Sequence, residues 1–391
     1  MPLDKYIEKN IDRITSWRRK IHSRPELAFN EIETSEFVAA KLSEFGIEIH
    51  RGIGKTGVVG VLQKGTSKKN IGLRADMDAL PIKEQNNFAH RSQNEGCMHA
   101  CGHDGHTAML LGAAEYLSKT GNFNGTIYFI FQPAEEGEAG AKAMIEDGLF
   151  SKFNIDCVFA IHNWPHLDPG VIRTRSGPIM AGFDTFSMNV IGDGGHAALP
   201  HLSSDTVTTT ASIILNWQTI VSRNIDPIES VVLSVTQIKG GNTWAVIPKT
   251  TSIGGTVRTF SRKNQIYVKR RMEEIARAIA VSNGCNIDFN YEERYPPTVN
   301  SKLETELVMQ VADHINSPKT HREECPPVTG SEDFGFMLEE KKGCYALIGN
   351  GDTTGGCMLH SPTYDFNDMI IPQGITYWVN LVNRKLHEKE G

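Results

Sequence analysis

The sequence predicts an α/β protein in two parts: a larger domain built on a largely parallel mixed sheet flanked by helices, and a smaller α+β domain inserted into it. Three observations predict it. Up to residue 181, short apolar runs alternate with helical periodicity, as in strands covered by helices. From 182 to 293 the strands alternate strictly between apolar and polar residues, in the order β-α-β-β-α-β of split, ferredoxin-like domains. After Pro296-Pro297 the chain returns to helices and strands. The expected bounds are 1–181 with 294–391 for the discontinuous larger domain, and 182–293 for the insertion.

Glu31 to Phe45 reads as a helix with Gly46 as its stop. Val58 to Leu62 and Ile71 to Leu73 are short apolar runs typical of buried strands. His106 to Lys119 is a helix of small residues, followed by a strand at Thr126 to Phe131. A helix near Ala141 to Glu146 and a strand at Cys157 to Ile161 complete the first segment.

In the insertion, Phe186, Met188 and Val190 alternate with polar residues as a half-exposed strand. Val207, Ala211, Ile214, Trp217, Val221 and Ile225 follow helical spacing. Two further alternating runs hold Val231, Leu233 and Val235, and Ile253, Gly255 and Val257. Val268, Met272, Ile275 and Ile279 mark a second amphipathic helix, and Ile287, Phe289 and Tyr291 a last strand. The chain is expected to finish in a helix from Gly374 to Leu386.

Hydrophobic residues make up 39% of the 391, enough for a sizeable core. The net charge is −6, with both signs mixed along the chain, which argues against a nucleic-acid partner. No run of apolar residues approaches a membrane span, and no secretory leader is visible. The seven cysteines are odd in number and irregular in spacing, so a disulfide framework is not expected and a reducing cytoplasm is.

The chemistry concentrates in four places. Met98-His-Ala-Cys-Gly-His-Asp-Gly-His106 offers imidazole, thiol and carboxylate within nine residues, the donor types that bind zinc-like metals. Phe131-Gln-Pro-Ala-Glu-Glu-Gly137 places two adjacent carboxylates at a strand end, a costly pairing without a cation nearby. One can serve as ligand while its neighbour, pointing elsewhere, serves as a base. His162 and His360 follow, each weak alone because a lone His is more often structural. Sites in α/β sheets gather beyond the carboxyl ends of strands, where Asp78, Glu135, Glu136 and His162 all fall.

These residues resemble a known family: the dinuclear metallopeptidases and aminoacylases. The match is to the amidohydrolase subgroup that includes hippurate hydrolase, N-acyl-amino-acid amidohydrolases and auxin-conjugate hydrolases, with hippurate hydrolase nearest in kind. The motifs are Leu73-Arg-Ala-Asp-Met-Asp-Ala-Leu-Pro81, the 98–106 cluster, Gln132-Pro-Ala-Glu-Glu-Gly137, Gly194-Gly-His196 and Gly330-Ser-Glu-Asp-Phe334, spread over nearly the whole chain in family order.

The resemblance implies a metal-dependent amidohydrolase that releases a carboxylic acid and a free amino acid from an N-acyl amino acid. It assigns Cys101, His103, Glu136, His162 and His360 as ligands of two divalent ions, with Cys101 as the bridge, and Asp76 and Asp78 as their supports. Glu135 would be the general base and proton shuttle. The insertion would make a homodimer, or part of a higher homo-oligomer, through which His196 reaches a neighbouring site to stabilise the oxyanion. Asn242 and Arg258 are candidates for the substrate carboxylate.

Two positions depart from the wider superfamily. Asp76-Met-Asp78 stands where many relatives carry His-x-Asp, and Cys101 stands near a ligand that is usually Asp. The metal therefore stays open: thiolate favours zinc, while His and carboxylate also suit manganese, cobalt or nickel. Rival readings are a dipeptidase or aminopeptidase on the same site, and a non-catalytic metal-binding scaffold. A scaffold would have no use for Glu135. Cys101 read as a nucleophile beside His103 would leave Glu135 and Glu136 without a role.

Overall fold

The computed structural model describes residues 1–316, 325–352 and 358–386. The chain divides into two compact units. The first comprises Met1–Ile179, Val299–Pro326 and Phe336–Gly391, and the second Met180–Thr298 with Pro327–Gly335. The sequence places the insertion at 182–293; the second unit runs slightly beyond both of those bounds and adds a short distant segment.

The first unit is built on one sheet. Its strands include β1 (Glu48–Ile53), β2 (Gly57–Lys64), β3 (Asn70–Asp76), β4 (Gly125–Gln132), β5 (Cys157–Pro165) and β6 (Ile172–Arg173), with Lys342–Gly351 between β5 and β6 in space. The order is β1-β2-β4-β3-β5-(342–351)-β6. The four central strands are parallel, and both margins are antiparallel. β3 and β4 are buried along their whole length, as central strands covered on both faces must be.

Helix α1 (Leu3–His22) is not anticipated by the sequence reading. Its buried face of Tyr6, Ile7, Ile14, Trp17 and Ile21 follows helical spacing, but charged residues between them dilute the pattern. The same face buries Arg18 and His22. Helix α2 (Ile32–Glu44) matches its expected span to within a residue, and Gly46 beyond it is left-handed at φ +72. Helix α3 (His103–Thr120) starts three residues before its expected start at His106. The final helix is Ile371–Lys385, again starting three residues early. β1 is a further strand that the expectation omits. Burial of α3 is nearly complete, and each aliphatic side chain so placed contributes roughly 1.5–3 kcal/mol relative to exposure.

In the second unit, strands Gly182–Ile191, Val231–Gly240, Thr250–Thr259 and Asn286–Tyr295 form an antiparallel sheet in the order 231–240, 250–259, 182–191, 286–295. Helices Thr206–Thr219 and Arg262–Ser282 supply the two α elements. Asp205 caps the first by accepting from the N–H groups of Val207 and Thr208, and Ser261 caps the second through Asn264 N–H. Ile225 is extended rather than helical, because the first helix ends in a π-turn at Ile220–Asn224. Phe186, Met188 and Val190 face a core with Trp217, Val268 and Met272. Trp217 Nε1 donates to Met272 O at 2.9 Å and ties the helices together. Among the described residues, no helix is long and apolar enough to cross a membrane.

Candidate metal centre

The carboxyl ends of β3, β4 and β5 lie side by side, with Asp76 paired to Gln132 across the ladder. Each strand releases a functional segment there: Asp76 to Asp78 from β3, Pro133 to Gly137 from β4, and His162 within the end of β5. The fourth segment is Cys101-Gly102-His103. Gly102 is left-handed at φ +90, and a Cβ on it would stand 2.1 Å from Asn163 Oδ1. Only glycine fits, and it lets the chain turn sharply into α3 so that His103 opens the helix.

Donor atoms converge at this end of the sheet. Those of Cys101, Glu136 and His360 lie within 4.8 Å of one another, as do those of His103, Glu135 and Glu136. A third group at the same spacing is Asp76, His103, His106 and His162. Cys101 Sγ is 3.5 Å from His162 Nε2, and Glu136 Oε1 is 3.1 Å from His360 Nε2. His360 is itself left-handed, at φ +68, and its backbone N–H donates to Ala100 O at 2.8 Å, which brings its loop against the Cys101 segment.

The donor set fits a divalent cation. His103 Nδ1 lies 2.9 Å from Asp78 O and 3.2 Å from Asp78 Oδ1, and His162 Nδ1 lies 2.7 Å from Asn163 O. An Nδ1–H engaged in this way leaves Nε2 with its lone pair free, the usual arrangement of a metal-binding imidazole. Among the described residues the buried His103 Nε2 and Glu136 Oε1 have no hydrogen-bond partner; the Glu136–His360 approach is close but lacks hydrogen-bond geometry. Buried polar atoms are rarely left so.

Charge states point the same way. Burial pushes the Cys101 thiol well above its usual range, and Glu136, Glu135 and Asp76 push it further. Burial drives His162 well below the usual imidazole value, with His106 adding to it, so its ring is neutral. Burial opposes charge on His103, but Asp76, Asp78 and Glu136 outweigh it and raise the ring to about 10. A divalent cation would reverse these preferences, turning thiol to thiolate and stripping the ring proton.

Around the donors runs a layer in which the sequence reading recognised only Asp76 and Asp78. Asp78 Oδ2 also accepts from Glu136 N–H at 2.9 Å, so one carboxylate orients two donor segments. Asp76 is gripped by Arg74 at 2.6 Å and by His106 Nδ1 at 2.6 Å. His106 Nε2 meets Asn163 Oδ1 at 2.8 Å and Asn163 N–H at 2.9 Å. With both nitrogens engaged, His106 buttresses Asp76 at the edge of the cluster. Asn163 Nδ2 continues the chain to Tyr364 Oη, four residues past His360.

A second buried network stands behind α3. Arg18 contacts Asp365 and Asp368 at 2.8 Å each and Asp104 at 3.4 Å, while His22 Nδ1 lies 2.8 Å from Asp104. Burial opposes the charge on His22, but Asp104 prevails and raises its ring to about 9.

The remaining expected residues belong to the second unit. His196 is exposed, and its two-residue strand pairs with Val246–Ile247. Asn242 is exposed in the turn just after Val231–Gly240. Arg258 stacks on the Phe183 ring at 4.0 Å and donates to Ser331 Oγ. Asn242 lies beyond the end of the sheet where Gly240 pairs with Thr251, seven residues along the strand from Arg258, or roughly 23 Å. The structure therefore does not bring Asn242 and Arg258 together within one chain. Cys357 lies outside the described residues; the other six cysteines are buried.

Fold and donor cluster define a hydrolase acting on amide bonds, of the metallopeptidase class. The family follows from comparison: the model described as Peptidase family M20/M25/M40 matches residues 72–384, and the chain belongs to that family. It is similar to the hippurate hydrolase of Campylobacter jejuni, with 42% identity over 94% of this chain and 95% of that protein. It is also similar to the IAA-amino acid hydrolase ILR1-like 4 of Arabidopsis thaliana, with 38% identity over 96% of this chain and 86% of that protein. Among solved structures, a dinuclear metal binding peptidase of the M20 family from Bacillus subtilis superposes with a TM-score of 0.84 and 30% identity, covering 97% of this chain and 99% of that one.

Proposed function

We propose that this enzyme hydrolyses the amide bond of N-acyl amino acids, of the hippurate or N-acetyl type, with two divalent ions held by Cys101, His103, Glu136, His162 and His360. The observation that carries this is the convergence of those donors with Glu135, with His103 Nε2 and Glu136 Oε1 buried and without a hydrogen-bond partner among the described residues. The names of the similar hippurate and IAA-amino acid hydrolases support the substrate class.

When bound, the ions supply Lewis acidity toward the scissile carbonyl and lower the pKa of water. Glu135, buried beside Glu136, accepts the proton of the attacking water and returns it to the departing amine. His196 meets the developing oxyanion, where a positioned donor is worth about 2.7–4 kcal/mol. Arg258, held by Phe183 and Ser331, offers a fixed guanidinium to the substrate carboxylate.

The inserted domain serves as the dimer contact. His196 and Asn242 sit at one end of its sheet and Arg258 at the other, farther apart than a small N-acyl amino acid is long. A single substrate can meet all three only if they come from two copies of the chain. Exposed Trp244, Val246 and Leu199 lie on the segments that pair with His196, an apolar patch suited to a two-fold contact.

The test is incubation with hippurate, N-acetyl-methionine and a dipeptide, with and without chelator, reading free amine. Release from an N-acyl amino acid that the chelator abolishes is expected. Cleavage of the dipeptide alone would make the enzyme a dipeptidase.

A further inference from the structure

The turn that carries Glu135 and Glu136 has a backbone that its sequence does not favour. Ala134 and Ala139 are both left-handed, at φ +55 and φ +56, where residues with a Cβ seldom rest. The turn closes tightly: Gly140 N–H donates to Ala134 O at 2.9 Å, and a Cβ on Gly140 would stand 1.7 Å from Pro133 O. A strained turn persists only where its surroundings hold it.

Glu31 is part of that hold. It occupies the N-cap position of α2, yet its side chain makes no cap bond. The carboxylate is wholly buried and turns toward β4 instead. Oε1 accepts from Ala134 N–H at 2.8 Å and from Phe29 N–H at 3.0 Å, while Oε2 accepts from Thr56 Oγ1 at 2.5 Å. On the far side of Glu135, Asp78 accepts from Glu136 N–H. The peptide N–H groups of the residues just before and just after Glu135 are thus each fixed by a carboxylate from another part of the chain.

We propose that Glu31 is a positioning residue for Glu135: by holding Ala134 N–H it keeps the turn left-handed and aims the Glu135 carboxylate. The proposal rests on Glu135 being the base. Glu31 itself touches neither substrate nor donor cluster. Its contacts require acceptors toward two backbone N–H groups and a partner for a hydroxyl that can rotate. A glutamine satisfies both needs, because its oxygen accepts the N–H bonds and its amide donates to Thr56 Oγ1. Alanine satisfies neither.

The experiment compares Glu31→Ala and Glu31→Gln with wild type, with Glu135→Gln as control. It reads kcat and KM on a cleaved N-acyl amino acid, metal content after dialysis, and hydrogen–deuterium exchange of amides 134–140. In Glu31→Ala, kcat should fall about 10- to 100-fold, as for a misaimed reacting group, with KM and metal content near wild type. Exchange should quicken in 134–140 and at Phe29, whose N–H the same carboxylate holds, and stay unchanged elsewhere. Glu31→Gln should recover kcat to within about threefold, with slow exchange restored. Undiminished kcat in Glu31→Ala, equal damage in the two variants, or faster exchange across the whole first unit would each overturn the proposal. If Glu31→Ala does not fold, Thr56→Val takes its place: a smaller fall in kcat is expected, and an unchanged kcat overturns the proposal. A Glu135→Gln protein with full turnover would instead remove the functional reading, while the exchange measurement would still score the hold of Glu31 on the turn.

Discussion

His103 Nδ1 lies 2.9 Å from the carbonyl oxygen of Asp78 and 3.2 Å from its carboxylate, so both oxygens of one residue meet the same ring nitrogen. The ring cannot turn without losing both contacts, and Nε2 stays aimed at the donor cluster. Asp78→Ala should leave the ring held by the backbone carbonyl alone and release Glu136 N–H. Outer-layer changes of this kind cost roughly 10–100-fold in metal affinity or activity. Metal titration followed by activity recovery measures this, and wild-type affinity in the variant would show that Asp78 is not needed.

Glu135→Gln should retain both ions and lose about 10²–10⁴-fold in kcat, because an amide cannot take the proton. Elemental analysis and steady-state kinetics on one preparation check it. Near-wild-type turnover would remove Glu135 from the role of base.

Cys101→Ser should lower metal content after dialysis, since a serine hydroxyl is a poorer donor than a thiolate. Full occupancy in that variant would take Cys101 out of the donor set.

Mixed dimers test the placement of His196. Glu135→Gln and His196→Ala chains are each expected to be inactive alone. Allowed to exchange, they should regain activity, because a heterodimer with His196 acting in trans has one site with both groups intact. Verified heterodimers that stay inactive would mean that His196 serves its own chain or none.

Asp184 supplies a pH dependence away from the metal centre. Burial raises its carboxyl to about 6, although Tyr291 Oη at 2.7 Å and Gln265 Nε2 at 2.6 Å favour the ionised form. A raised folded pKa contributes stability that is full below the unfolded value of 3.8 and is lost as pH rises through about 6. The span is worth about 3 kcal/mol at most. Asp184→Asn cannot ionise, so its Tm relative to wild type should improve by several degrees between about pH 4.5 and 7.5. Parallel Tm curves would show that Asp184 does not titrate in this range.

The sheet and the candidate donors were readable in the sequence because their signals are local. Apolar runs such as Ile71 to Leu73 mark strands directly, and Cys101 and His103 stand two residues apart beside a glycine. The layer behind them was not readable, because its contacts join distant parts of the chain. Glu31 and Ala134 are 103 residues apart, and in sequence Glu31 looks like the start of a helix. His106 sits inside the conspicuous cluster, yet only the fold shows that both of its ring nitrogens are engaged, by Asp76 and Asn163. The early start of α3 escaped notice because Asp104-Gly-His106 reads as a turn until Gly102 is seen to make one.

Arg18 also bears on how the protein is made. Its guanidinium is fully enclosed, and its partners Asp365 and Asp368 stand 347 and 350 residues later. An enclosed cation without its counter-charges is strongly disfavoured. While the ribosome is still translating the middle of the message, α1 has α3 to pack on, with Asp104 beside Arg18, but the segment after His360 that supplies the two closer carboxylates does not yet exist. Completion of the catalytic half is deferred until almost the whole chain has emerged, by which time Met180–Thr298, the main stretch of the inserted domain, has long been available to fold.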